Sequence, residues 1–170
     1  MEDGILFENE FLLKKEDLKG FFSYTTLRQR VFSLIIGLIS IILAVLEYKT
    51  ENKMMIIILA FLGILTITLF FTLVNLGVNS MEKGGRLEQN VKIQFYKDKL
   101  VTTEQGKKSD VYYSDLRKVA NNENAFYLML NRTRGIIVKK KAFTEGTEDE
   151  FFKFINKKVV KSPGRRSFGG

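Results

Sequence analysis

Two stretches decide the fold: Val31–Leu46, VFSLIIGLISIILAVL, and Met54–Val78, MMIIILAFLGILTITLFFTLVNLGV. Neither contains a charged side chain. An uncharged apolar run of about 18 residues or more reads as a membrane span, because a single segment in hydrocarbon satisfies its own backbone only as a helix. At about 1.5 Å per residue, Val31–Leu46 covers about 24 Å of a core about 30 Å thick. The first span is therefore expected over about 27–48, with Arg28 and Arg30 snorkelling to the headgroups and Tyr48 in the opposite interface. The second, over about 54–78, would reach about 37 Å and must tilt or emerge. The residues between them, Glu47–Lys53, make a tight turn. No small-x-small cleavage site follows the first run, so it reads as a retained helix and not as a signal peptide.

The rest of the chain is charged, with 27 Lys and Arg against 19 Asp and Glu and a net charge of +8. Residues 1–30 carry a net charge of −1 and residues 79–170 one of +9. Lys14, Lys15, Lys19, Arg28 and Arg30 flank the first span, and Lys83, Arg86 and Lys92 follow the second. The turn holds Lys49 and Lys53. Positive-inside bias then puts both termini in the cytoplasm and the turn outside. Thr66, Thr68, Thr72 and Asn75 are the polar residues of the second span, and none is ionisable, which argues against a pump, channel or transporter. Ser33, Gly37 and Ser40 share one helix face. Packing between the two helices of one chain is the preferred use of that face, and a homodimer through the transmembrane helices is the alternative.

The chain has no Cys and no His. Zinc and iron–sulfur sites and His-activated nucleophiles are thereby removed. Neither a phosphate-binding loop nor a dinucleotide fingerprint is present. The acidic run Glu148-Asp149-Glu150 follows Thr147 as a capping box at a helix start, and Asp115 suits a turn. The expectation is no enzyme, no catalytic or metal-binding residue and no cofactor.

Around the hairpin the pattern is that of a small antiparallel domain. Ile5, Phe7, Phe11 and Leu13 alternate with Glu8 and Glu10, interrupted at Asn9. Leu18, Phe21, Phe22 and Thr25 follow as a short amphipathic helix, which would lie on the membrane surface or run straight into the first span. Beyond Gly84-Gly85, five strands are expected at Val91–Phe95, Leu100–Thr103, Val111–Tyr113, Phe126–Leu130 and Ile136–Lys139, arranged as a meander with turns at hairpin spacing. A helix with the stripe Phe151, Phe152, Ile155 and Val159 closes the domain. The fold class is thus membrane α+β: a two-helix transmembrane hairpin plus a β-meander resembling a pleckstrin-homology-like barrel, capped by a C-terminal helix. Residues 1–26 would join the cytoplasmic domain 81–161, residues 27–80 would form the hairpin, and 162–170 a disordered basic tail.

Two segments carry a family resemblance. One is Val111-Tyr112-Tyr113-Ser114-Asp115-Leu116-Arg117-Lys118-Val119, and the other is Ile136-Ile137-Val138-Lys139-Lys140-Lys141-Ala142-Phe143. Placed after two membrane helices, they resemble the YcxB-like bacterial membrane proteins. Lys139 stands where that family often has Pro. The resemblance implies a bacterial cytoplasmic membrane and a pleckstrin-homology-like cytoplasmic domain. It brings no established activity, ligand or site residue.

The basic clusters are Lys107-Lys108, Arg132 with Arg134, Lys139-Lys140-Lys141, and Lys157, Lys158, Lys161, Arg165 and Arg166. Basic residues next to an anionic leaflet gain about 1 kcal/mol each. Lys139, Lys140, Lys141, Arg165 and Arg166 are therefore the candidate contacts to anionic lipid headgroups. The aromatic residues Tyr112, Tyr113, Phe126 and Tyr127 suit sheet core and rim better than base stacking, so no nucleic-acid partner is expected. The expected function is a non-enzymatic binding or scaffolding module at the inner leaflet, with the lipid bilayer and an unidentified protein as partners. The alternative is an immunity protein that protects the producing cell against a membrane-active toxin or bacteriocin.

Overall fold

The structure, a computed structural model, describes residues 4–47 and 52–160. Tyr48, Lys49 and Thr50 of the turn, and Lys161, Arg165 and Arg166 of the tail, lie outside the described residues. The chain divides into two units, residues 18–85 and residues 1–17 with 86–170.

The helical unit consists of α1 (Lys15–Glu47), whose first turn belongs to the other unit, and α2 (Lys53–Lys83). Both are long and apolar enough to cross a membrane. Of the two placements expected for the amphipathic segment, the structure takes the second: it runs straight into the first span as the start of α1. Without Gly or Pro to stop it between Phe21 and Gly37, the helix runs on unbroken. At the other end Asn52 caps α2, its side-chain oxygen accepting the Met55 amide at 3.2 Å. The two helices meet through glycines. A Cβ on Gly37 would lie 2.7 Å from Ile67 and 3.2 Å from the Gly63 carbonyl, and one on Gly63 would lie 2.8 Å from Ile41. Further along, a Cβ on Gly77 would lie 2.6 Å from the Phe22 ring. Small residues thus let the backbones approach closely. Ser40 is buried on that face, and its hydroxyl turns back to the Ile36 carbonyl. The outward faces are apolar and open, with Phe32, Ile57, Phe61 and Phe71 each more than 60% exposed.

The β unit has eight strands among the described residues: β1 (Phe7–Leu12), β2 (Asn90–Phe95), β3 (Lys99–Glu104), β4 (Lys107–Tyr112), β5 (Lys118–Asn121), β6 (Ala125–Met129), β7 (Gly135–Lys139) and β8 (Phe143–Glu145). They form two antiparallel sheets, β4-β3-β2-β1-β8 and β5-β6-β7, in place of one meander. Tyr113–Asp115, a 3-10 turn, carries the chain from the first sheet to the second. Two strands escape the alternation test. The strand β5 is only four residues long, and β8 has three residues, of which one is apolar. The fourth strand also starts earlier than alternation suggests. Gln105 and Gly106 alone make the turn, both at positive φ (51° and 75°), which suits a two-residue hairpin with Glu104 opposite Lys107.

The strand β1 lies inside its sheet. It pairs with β2 from Phe7↔Phe95 to Leu12↔Asn90, and its other edge meets β8. The ladder extends past the strand ends, where the Leu13 amide donates to the Gln89 carbonyl and the Glu88 amide to the Leu13 carbonyl, both at 2.9 Å. Helix α3 (Glu148–Val160) packs its stripe onto the core. Phe151 is fully buried against Phe7, Phe95, Phe126 and Phe143, with ring centroids 4.6–5.6 Å apart. Removing a side chain so enclosed costs about 3–5 kcal/mol. The Thr147 hydroxyl caps the Glu150 amide weakly, at 3.4 Å. Glu150 returns to that hydroxyl, at 2.7 Å, and not to the Thr147 amide that a capping box would use.

Candidate functional site

Lys139, Lys140 and Lys141 straddle the end of β7 and the start of a 3-10 turn, and that change of backbone sends their side chains in different directions. Lys139 ends β7 and places its ammonium 3.0 Å from both carboxylate oxygens of Asp17, over the ring of Phe11. Lys140 opens a 3-10 turn, lies 3.5 Å from Glu148 and sits over the Phe126 ring. Lys141 is exposed. Two of the three charges are thus committed to carboxylates within the domain, and one is presented outward. Arg165 and Arg166 lie outside the described residues.

The other clusters are dispersed. Lys107 and Lys108 start the exposed edge strand β4, where lysines also discourage unwanted strand pairing. Their turn lies at the end of the sheet that holds Leu12 and Asn90, the strand ends through which the chain leaves for the helices and returns. Arg132 and Arg134 are exposed on the β6–β7 turn, which the Asn131 side chain shapes by accepting the Thr133 and Arg134 amides at 2.8 and 2.7 Å. Lys158 on α3 lies 3.5 Å from Asp98 and near the rings of Tyr113 and Phe154.

Two residues of structural weight were not singled out as such by sequence reasoning. Asn9 is fully buried, facing inward with the apolar side chains of β1. Its amide nitrogen donates to the Lys139 carbonyl at 2.7 Å, and its oxygen accepts the Lys139 amide at 3.2 Å. The first strand therefore joins one sheet through its backbone and is hydrogen-bonded to the other through the Asn9 side chain. Asp17, two residues into α1, accepts the Lys14 amide at 2.9 Å as well as the Lys139 ammonium. The signal for Asn9 is present in the chain, since a polar residue at an inward position of a strand needs partners to be buried.

On the outer face of the first sheet, Glu8 accepts hydrogen bonds from Lys92, Gln94 and Thr144. The Lys92 bond is the chief cause holding the Glu8 carboxyl below its ordinary pKa, aided by Gln94 and against partial burial. Lys92 is raised in turn, first by its bond to Glu8, and Lys99 by its bond to Asp110. Burial keeps the Tyr113 phenol protonated, with the Asp98 charge adding to the effect, while the hydroxyl donates to the Tyr96 carbonyl at 2.7 Å. Burial likewise raises the Tyr127 phenol, against the opposing Asn122 hydrogen bond. Tyr112 differs from these two tyrosines in being 54% exposed. Among the described residues no group of three or more carboxylates is gathered closely enough to hold a metal ion.

No curated protein and no solved structure matches the chain significantly. A family model described as YcxB-like protein matches residues 95–155, from the last residue of β2 into α3, and over that stretch the chain is similar to that family.

Proposed function

We propose that the chain is a non-enzymatic integral protein of a bacterial cytoplasmic membrane, in which the helix pair anchors a pleckstrin-homology-like binding and scaffolding domain at the inner leaflet. One observation carries this reading: the apolar hairpin is inserted between β1 and β2, adjacent strands of one sheet. Two sheets of antiparallel strands closed by a C-terminal helix support the pleckstrin-homology-like assignment, which the fewer strands expected from sequence left short. The low burial of the two apolar windows, 17% and 6%, supports insertion, since a soluble core helix would be covered. The excess of basic residues on the β side of the spans supports a cytoplasmic position for it. In this reading Lys141 presents the most open charge of the described candidates Lys139, Lys140 and Lys141, and Arg165 and Arg166 extend the set.

Membrane fractionation with a reporter tests the assignment. The full chain should stay in the pellet through alkaline carbonate. A reporter active only in the cytoplasm should work when fused after Gly170 and fail when inserted at Thr50. Extraction by carbonate, or activity from Thr50 alone, would refute it. A photo-crosslinking residue at Tyr112 or Lys141 should then trap a discrete partner, and a uniform absence of adducts at both positions would remove the scaffolding role.

A further inference from the structure

We propose that Arg30 binds the phosphate group of a membrane phospholipid, and that this contact fixes where α2 leaves the hydrocarbon. The inference rests on the reading that the hairpin is inserted. The Arg30 side chain is already held: its Nε donates to the Phe70 carbonyl on α2 at 2.9 Å, and its Cζ lies 4.7 Å from the centre of the Phe70 ring. A helix carbonyl has a second lone pair to give, so this bond leaves the helix ladder intact. It also uses Nε alone. The two terminal amino groups form the planar fork that matches a phosphate's oxygens, and the side chain meets that ligand already ordered.

The depth of Arg30 points to a headgroup. Arg30 and Glu47 are 17 positions apart on α1, as are Lys53 and Phe70 on α2, which makes about 26 Å of helix in each case. Charges stand at both ends of this slab, Glu47 and Lys53 at one and Arg30 at the other. With side-chain reach the slab approaches the hydrocarbon thickness of about 30 Å. A guanidinium deeper than this would be costly, and one at this level meets phosphate. The second helix has no such mark of its own, since it is uncharged from Met54 to Met81. The bond to Phe70 supplies it. Beyond that point α1 carries Lys19, Tyr24, Arg28 and Gln29, and α2 carries Thr72, Asn75, Asn79 and Ser80. Phe22 still rests against Gly77 there, so the helices stay paired outside the slab. The boundary therefore falls near Phe70, short of the end of the apolar run at Val78.

The absence of cysteine permits a direct test on the full chain. Single-cysteine variants Thr68→Cys and Asn75→Cys are reconstituted in vesicles of equal phosphatidylglycerol and phosphatidylcholine, opened so that both faces are reached, and treated with an impermeant maleimide. Asn75→Cys should react and Thr68→Cys should not. In an Arg30→Gln background labelling at position 75 should fall, as the long apolar helix sinks. The phosphatidylglycerol co-purifying with the protein, measured by native mass spectrometry, should fall about tenfold, the change produced by losing about 1.4 kcal/mol of charge-assisted hydrogen bonding. Excess inorganic phosphate should not displace that lipid, and displacement would reassign the site to a free anion. Shielding of position 75 in the otherwise unaltered protein would overturn the boundary. Unchanged labelling and unchanged lipid in Arg30→Gln would overturn the phosphate contact. Release of the unaltered chain by alkaline carbonate would defeat the membrane reading itself.

Discussion

Replacing Asn9 with Leu tests how the two sheets are joined. The side chain is fully buried, and its two hydrogen bonds satisfy both the amide and the carbonyl of Lys139. Leu has the same branched shape, somewhat larger, and neither function. Each backbone group left without a partner costs about 1–3 kcal/mol, and water reaching the partly exposed Lys139 recovers some of that. A net loss of about 2–4 kcal/mol is expected, a large share of the 5–15 kcal/mol typical of a domain. Hydrogen exchange on the full chain reads this locally. The amides of β7 should exchange roughly 30- to 1000-fold faster, with β2 and β3 less affected. Asn9→Asp should fall near Leu, because a carboxylate can accept the Lys139 amide but faces its carbonyl with no donor. Exchange of β7 within about threefold of the unaltered chain would refute the argument that Asn9 fastens the seam.

Gly146→Ala should destabilise the β unit by about 2–4 kcal/mol in a melt of the detergent-solubilised chain, because Gly146 has a φ of +80° and an added Cβ would strike the Phe7 ring. Glu8 has a lowered pKa, so its contribution is fully present above its ordinary value of 4.5 and is lost as pH falls through the lower folded value. The melting temperature should therefore fall below about pH 4.5, and Glu8→Gln should flatten that part of the profile. Gly63→Leu should force the helices apart, since a Cβ there already meets Ile41 and the Gly37 carbonyl. Spin labels at Leu38 and Leu65 should report a separation changed by about 2 Å, and an unaltered distance distribution would contradict the glycine contact.

The hairpin is legible because it depends on local composition, which needs no knowledge of the fold. The strands β2, β3 and β6 show themselves by alternation or by apolar runs, and α3 by its apolar stripe. What stays hidden is what depends on distant partners. Lys139, Lys140 and Lys141 read as one charged run, yet Asp17 and Glu148, which take up two of the charges, lie far along the chain or across a turn. Asn9 reads as a break in a strand pattern, and only the backbone of β7 makes it a core residue. The strands β5 and β8 are too short and too polar to show a period, and their pairing with β6 and β1 is what makes them strands.

The place of β1 in its sheet also sets an order of events during synthesis. Its partner residues, such as Phe95 for Phe7, are made only after both apolar helices. At about 5–20 residues per second, this first strand waits roughly 4–18 s before β2 can meet it. Until then β1 has no strand to pair with, and Phe7 and Phe11 have no core to enter. In a chain whose hairpin enters the bilayer as it is made, the domain would thus complete itself only after insertion.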